Sequence, residues 1–174
     1  MIVDSSYKSS KALGYLAGET LLGFDTETRP TFVSNNGKPH RTSLLQLATD
    51  NMVFLFRLPF CGINSGLMGL LSNQEVTKVG VAVRDDIKGL LTYRSFSPAG
   101  FIDLQSMAEP LGVKEKSLRK LAAIFLTLRL SKGQQLSNWD KRVLSSAQQK
   151  YAALDAWACR EIYLKLINNL KNEP

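Results

Sequence analysis

The chain has 174 residues, 44% of them hydrophobic, and 22 Lys plus Arg against 15 Asp plus Glu leave a net charge of +7. That apolar content is enough for a buried core and excludes a disordered tail, and the length fits one domain spanning 1–174. No apolar run approaches the roughly 18 residues of a membrane span, and Asp4 and Lys8 interrupt the N-terminus where a signal peptide would lie. A cytoplasmic protein with no membrane partner is therefore expected. Cys61 and Cys159 form no CxxC pair, which excludes a Cys-built zinc site and leaves two buried thiols. The basic excess favours a polyanionic partner.

Leu21 to Phe24 is an apolar run entering Asp25-Thr26-Glu27-Thr28, the pattern of a buried strand with a polar end, and the Gly/Asn/Pro-rich stretch 30–39 is a loop. Thr42 to Ala48 and Met52 to Leu58 are β-prone and separated by Thr49, Asp50 and Asn51, which predicts an antiparallel hairpin. Ile63 to Leu71 has helical spacing, Thr77 to Val83 is a β-branched strand, and Asp85 to Tyr93 a helix opening on Asp. Phe101 to Asp103 reads as a short strand, Leu104 to Leu111 and Ser117 to Leu128 as helices. The last helix begins at Ser145 or Ser146, each followed three residues on by Gln, and continues to about Asn169. Strands first and helices later predict an α/β protein with helices on a mixed sheet.

Four carboxylate positions stand out. Asp25 and Glu27, at i and i+2 of a strand, project to one side about 7 Å apart. Either the strand has ended and both point into water, or a cation offsets their repulsion. Turning about 100° per residue from Tyr151 puts Leu154, Ala158, Ile162 and Leu166 on one apolar stripe, with Asp155 inside it. A carboxylate facing a core needs a partner, a hydrogen-bond donor or a metal. Of Asp85 and Asp86, one can cap its helix and the other serve as a ligand.

Phe24-Asp25-Thr26-Glu27, then Lys78-Val79-Gly80-Val81 with Asp86 and Leu90, then Tyr151-Ala152-Ala153-Leu154-Asp155-Ala156, occur in this order along the chain. Together they resemble the three motifs of the DEDD 3′-5′ exonucleases. Tyr four residues before the last Asp marks the tyrosine subclass; the slot that holds His in the other subclass is Lys150. Phe101 to Gln105, Ser117-Leu118 and Leu136-Ser137-Asn138-Trp139 add similarity to ribonuclease D and Werner-type exonuclease domains, so the resemblance covers nearly the whole chain. It implies a ribonuclease H-like fold: a mixed five-stranded sheet, three strands antiparallel and two parallel, flanked by helices. With the chain closing at Pro174, neither the extra helical domains of ribonuclease D nor a helicase is expected.

The resemblance also implies the chemistry. Asp25 would bridge two divalent cations, Glu27 and Asp155 would complete the first, Asp86 would hold the second largely through water, and Tyr151 would orient the attacking water. Asp86 rather than Asp85 fits because Leu90 follows it by four. Oxygen-only ligands select Mg²⁺ or Mn²⁺, and two such ions about 3.5 to 4 Å apart suit phosphodiester hydrolysis. The substrate would be the 3′ end of DNA or RNA, released as 5′-mononucleotides. Lys38, His40, Arg41, Lys132 and Lys141 are candidates for binding phosphate, and Trp139, Phe32 and Phe24 for stacking on a base or packing in the core. The competing function is a nucleic-acid-binding module that keeps the fold without turnover; the presence of all four carboxylates and Tyr151 argues against it.

Overall fold

The computed structural model describes residues 1–30, 41–114 and 116–171, with side chains described through residue 169. Its strands are β1 (Ile2–Val3), β2 (Leu21–Thr28), β3 (Thr42–Ala48), β4 (Val53–Arg57), β5 (Thr77–Gly80) and β6 (Phe101–Asp103). Its helices are α1 (Ser6–Leu16), α2 (Leu58–Cys61), α3 (Ser65–Leu71), α4 (Val83–Leu91), α5 (Leu104–Ala108), α6 (Leu118–Leu126) and α7 (Ser146–Lys171). The strands form one sheet in the order β1-β4-β3-β2-β5-β6. The hairpin β3–β4 and the pair β2–β3 are antiparallel, and β5 and β6 continue the sheet parallel to β2. These are the five expected strands. A sixth, β1, adds to the edge parallel to β4 through Ile2↔Leu55 and Val3↔Phe56.

Neither β1 nor α1 is among the elements expected from sequence. A two-residue strand has no period to read, and α1 interleaves three serines and two lysines with its apolar residues, which blurs the helical stripe. Ser5 caps it by accepting the backbone N–H of Lys8, and only Ser9, Ala12 and Leu16 are buried. Among the described residues no helix is long and apolar enough to cross a membrane.

Helices cover both faces. On one, Leu22, Phe24, Leu45 and Leu47 pack with Ala12, Leu16, Leu67 and Leu90 of α1, α3 and α4. On the other, Val79 packs with Leu104, Leu121, Ala158 and Ile162 of α5, α6 and α7. The inner strand β3 is covered on both sides, and every one of its positions is buried. Cys61 and Cys159 are buried free thiols, as expected.

α7 lies diagonally across β2, β3, β4 and β5. Its start is the anticipated capping box: Ser145 Oγ accepts the Gln148 N–H at 3.2 Å and Gln148 Oε1 accepts the Ser145 N–H at 3.1 Å. The Gln148 amide also donates to Ser137 Oγ at 2.9 Å, tying the helix to the preceding loop. That loop is held from below by buried Arg57, whose guanidinium donates to the carbonyls of Trp139, Lys141 and Arg142.

The helix approaches β2 most closely at Gly23, where an added Cβ would stand 1.9 Å from the carbonyl oxygen of Ala156. Backbone cannot yield as a side chain can, so Gly23→Ala must lift α7 from the sheet. A destabilisation of about 3 kcal/mol or more is expected, checked by urea denaturation.

Candidate active site

β2 does not end at Phe24. It runs to Thr28, and Asp25 and Glu27 are paired mid-strand with Gln46 and Leu44 of β3. Alternation along β2 then divides its side chains. Gly23, Asp25 and Glu27 face α7, while Phe24 and Thr26 face the opposite layer. Phe24 is fully buried and meets Phe101 edge to face, ring centres 5.1 Å apart, so it is core rather than a base-stacking surface.

One turn of α7 brings Tyr151 and Asp155 onto Asp25 and Glu27. Carboxylate oxygens of Asp25, Glu27 and Asp155 all lie within 4.8 Å of one another. Asp155 is 7% exposed and shares a hydrogen bond with the Tyr151 hydroxyl. The apolar stripe therefore carries its carboxylate into the sheet face, where the helical spacing predicted it.

Asp86 stands outside that group of three, on the Thr26 side of β2 in a separate pocket with Thr28, Thr42 and Gly89, its carboxylate accepting the Thr26 hydroxyl at 2.5 Å, and only its charge is felt at Asp25 and Glu27. Neither aspartate of the doublet caps α4. The cap is Ala82, in a left-handed conformation with φ 56°, and its N–H donates to Asp103 Oδ1 at 3.2 Å. Asp85 sits in the first turn, 83% exposed and paired with Lys88 at 2.7 Å. Asp103, which also caps α5 through the Gln105 N–H at 2.9 Å, is the residue that fixes this turn. The doublet's division is testable: Asp85→Asn should leave melting temperature and turnover near wild type, while Asp86→Asn should lower turnover more than 10²-fold, measured by thermal denaturation beside single-turnover hydrolysis.

The electrostatics follow from crowding four carboxylates into a half-dry place. Burial, then the charges of Asp86 and Asp155, pushes the Asp25 carboxyl well above the usual range. Burial, then Asp25, Asp155 and Asp86, raises Glu27 to about 9. Asp86 and Asp155 are each raised to about 6, chiefly by burial, opposed by the hydroxyls of Thr26 and Tyr151 respectively. Burial and the neighbouring Asp155 and Glu27 also push the Tyr151 phenol up. Such a set disfavours its own ionised form unless a cation is supplied, and a donor set of carboxylate oxygens alone suits a hard divalent ion.

A cleft of about 620 Å³ opens beside Tyr151 and Asp155, between α6 and the segment that follows it; Arg119, Lys120, Arg129 and Lys132 line it. Arg119 is braced there by donating to the Leu130 carbonyl at 2.9 Å. Lys132 was anticipated from sequence. Arg119, Lys120 and Arg129 were not, because their meeting depends on how the 127–135 segment folds back over α6.

The other candidates for holding a nucleic acid fare differently. Trp139 is a correction: it is 0% exposed and packed among Leu44, Leu55, Leu144 and Ala152, with the Tyr151 ring 6.1 Å away, so no face is left for a base. Arg41 is exposed but donates to the Thr92 carbonyl at 2.8 Å and lies over the Tyr93 ring. Lys141 is exposed on the loop that Arg57 holds and does not line the cleft. Lys38, His40 and Phe32 fall outside the described residues.

Comparison with known proteins decides the family. A family model described as 3′-5′ exonuclease matches residues 1–171. The chain belongs to the 3′-5′ exonuclease family. It is 30% identical to the exonuclease mut-7 homolog of Aedes aegypti over 187 residues, covering 93% of this chain and 26% of that protein. The chain thus spans about a quarter of that curated relative. Among solved structures it is similar to the Nibbler EXO domain of Aedes aegypti, with a TM-score of 0.86 and 27% identity, covering 98% of this chain and 88% of that one. It is similar also to Trypanosoma brucei RNase D in complex with RNA U12, with a TM-score of 0.85 and 25% identity, covering 100% of this chain and 64% of that one. The fold expected from the three motifs is the fold of these exonucleases.

Proposed function

We propose that this chain is a divalent-metal-dependent 3′-5′ exonuclease that hydrolyses phosphodiester bonds of DNA or RNA by a two-metal mechanism and releases 5′-mononucleotides. The observation that carries it is the convergence of Asp25, Glu27 and Asp155 within 4.8 Å, beside Tyr151 on the same helix face. Asp25, Glu27 and Asp155 would hold one Mg²⁺ or Mn²⁺, and Asp25 with Asp86 a second. Bound there, the cations supply charge stabilisation at the attacking, bridging and leaving oxygens.

The chain's own residues do the rest. Tyr151, kept protonated by its surroundings, has a hydroxyl suited to hold a water in line with a scissile phosphate rather than to remove its proton. Thr26 fixes the Asp86 carboxylate, and Gly23 lets α7 come close enough for Asp155 to reach the β2 pair. Arg119, Arg129 and Lys132 offer the cleft's positive charge to the phosphates upstream of the 3′ end. This basic wall beside an acidic centre reconciles the net charge of +7 with a carboxylate site. The RNA held by Trypanosoma brucei RNase D supports a nucleic-acid substrate for this chain.

Incubating the protein with 5′-labelled single-stranded DNA and RNA tests the reading. A ladder shortening from the 3′ end in Mg²⁺ or Mn²⁺, abolished by EDTA, is the expected result; undiminished hydrolysis in excess chelator would sink it. Three phosphate contacts along the cleft also predict that log Kd for a single strand, measured in EDTA, changes with log salt concentration with a slope of about 2. A flat salt dependence would remove the cleft from the strand's path.

A further inference from the structure

Gln46 is a buried polar side chain with no partner. It lies in the centre of β3, 0% exposed, and neither its amide nitrogen nor its amide oxygen makes a hydrogen bond. Leaving both ends of an amide dry and unpaired is costly, and an apolar residue would fill the space without that cost. The location gives the amide a use. Gln46 stands directly opposite Asp25 in the antiparallel β2–β3 register and opposite Leu55 of β4. Directly opposed residues project from the same face, so Gln46 shares with Asp25 the side covered by α7. On that face Leu44 and Leu55 pack with Trp139, whose indole nitrogen is also buried without a partner, as are the Nε atoms of Arg57 and Arg160. The unpartnered Gln46 amide thus stands across the ladder from Asp25, with the unpartnered Trp139 indole N–H packed against its neighbours Leu44 and Leu55.

We propose that Gln46 is a positioning residue for Asp25, resting on the function proposed above. Its amide N–H₂ donates to the Asp25 carboxylate when that group is ionised and holds a cation, and its amide oxygen accepts the Trp139 indole N–H. Asp25 has no side-chain hydrogen bond from any other described residue. A neutral donor suits the position because it orients the carboxylate while leaving its full charge for the cation, whereas a lysine there would compete with it. Trp139 then has a second function beyond packing, since its N–H fixes which end of the amide faces Asp25.

Gln46→Met keeps the side-chain volume and removes both polar atoms, and Gln46→Leu does the same in a more compact shape. Both should fold, with melting temperatures at or above wild type. Calorimetric titration with Mn²⁺ should show an affinity lower by about 10-fold to 100-fold, the usual cost of losing a group that orients a metal ligand. In hydrolysis of a single-stranded oligonucleotide at saturating Mn²⁺, kcat should fall while KM for the strand stays put. Wild-type Mn²⁺ affinity and kcat in either folded variant would overturn the proposal and leave Gln46 an inert core amide. Failure of the wild-type protein to bind Mn²⁺ would instead overturn this proposal together with the proposed function, so the two failures are distinguishable.

Discussion

Asp25→Asn should end hydrolysis and at the same time make the metal-free protein more stable at neutral pH. Asp25 stands beside Glu27 and Asp155, and burial together with the charges of Asp86 and Asp155 opposes its ionisation. Asparagine keeps the shape and removes the charge, so Glu27 and Asp155 lose a repulsive neighbour. A gain of about 1–3 kcal/mol is expected, or roughly 3–10 °C in Tm for a domain of this size. Turnover should drop by at least about 10³-fold, because the proposed cation site would lose one of its ligands.

The pH dependence carries the same sign. A carboxyl whose pKa is higher in the folded than in the unfolded chain binds more protons when folded, so stability is greatest below the unfolded value and falls as pH rises. For Glu27, raised to about 9, and for Asp86 and Asp155, raised to about 6, the window runs upward from about pH 4. Metal-free wild type should therefore melt at falling temperature from pH 4 towards pH 9. Mn²⁺ should reverse the loss at pH 8 and do little at pH 5. Asp25→Asn should flatten the curve, and a wild-type profile that rises through neutrality in EDTA would show that the crowding of carboxylates is not felt.

Tyr151→Phe should fail in another way. The ring stays packed beside Trp139, and the variant loses only a hydroxyl that bonds to Asp155 and would hold the attacking water. Folding and Mn²⁺ affinity should be close to wild type, with kcat lower by about 10-fold to 10³-fold, the scale of one misplaced catalytic hydrogen bond. Single-turnover kinetics beside a metal titration separate the two effects. Because the phenol's pKa is pushed upward rather than down, the pH–rate profile of wild type should show no ionisation of tyrosine near neutrality. Wild-type turnover in the phenylalanine variant would reduce Tyr151 to a packing residue.

Much of this site was legible because its signals are local. Asp25 and Glu27 declare themselves by alternation, Asp155 by standing on an apolar helical stripe, and the start of α7 by a Ser145–Gln148 box that forms as spaced. What escaped the sequence depends on contacts between distant segments. The polar end of β2 looked like a strand terminus, yet pairing with β3 carries it on to Thr28. The Asp85–Asp86 doublet looked like a cap, but an Asp103 carboxylate from β6 holds Ala82 in the capping turn and moves both aspartates inward by one turn. Trp139 sits in a polar run, Leu136-Ser137-Asn138-Trp139-Asp140, which leaves stacking on a base and packing in the core both open. Arg57 draws that loop down and buries the indole. Cleft residues Arg119 and Arg129 carry no local mark of function, since single basic residues of this kind occur over any protein surface.

The proposed function requires Asp25, Glu27 and Asp155 to take a divalent cation together. Calorimetric titration of Mn²⁺ into the nucleic-acid-free protein at pH 7.5, wild type beside Asp25→Asn, is the measurement that decides this. Binding by wild type that is lost in the variant is the predicted result. Equal Mn²⁺ binding by both, or none by wild type, would contradict it.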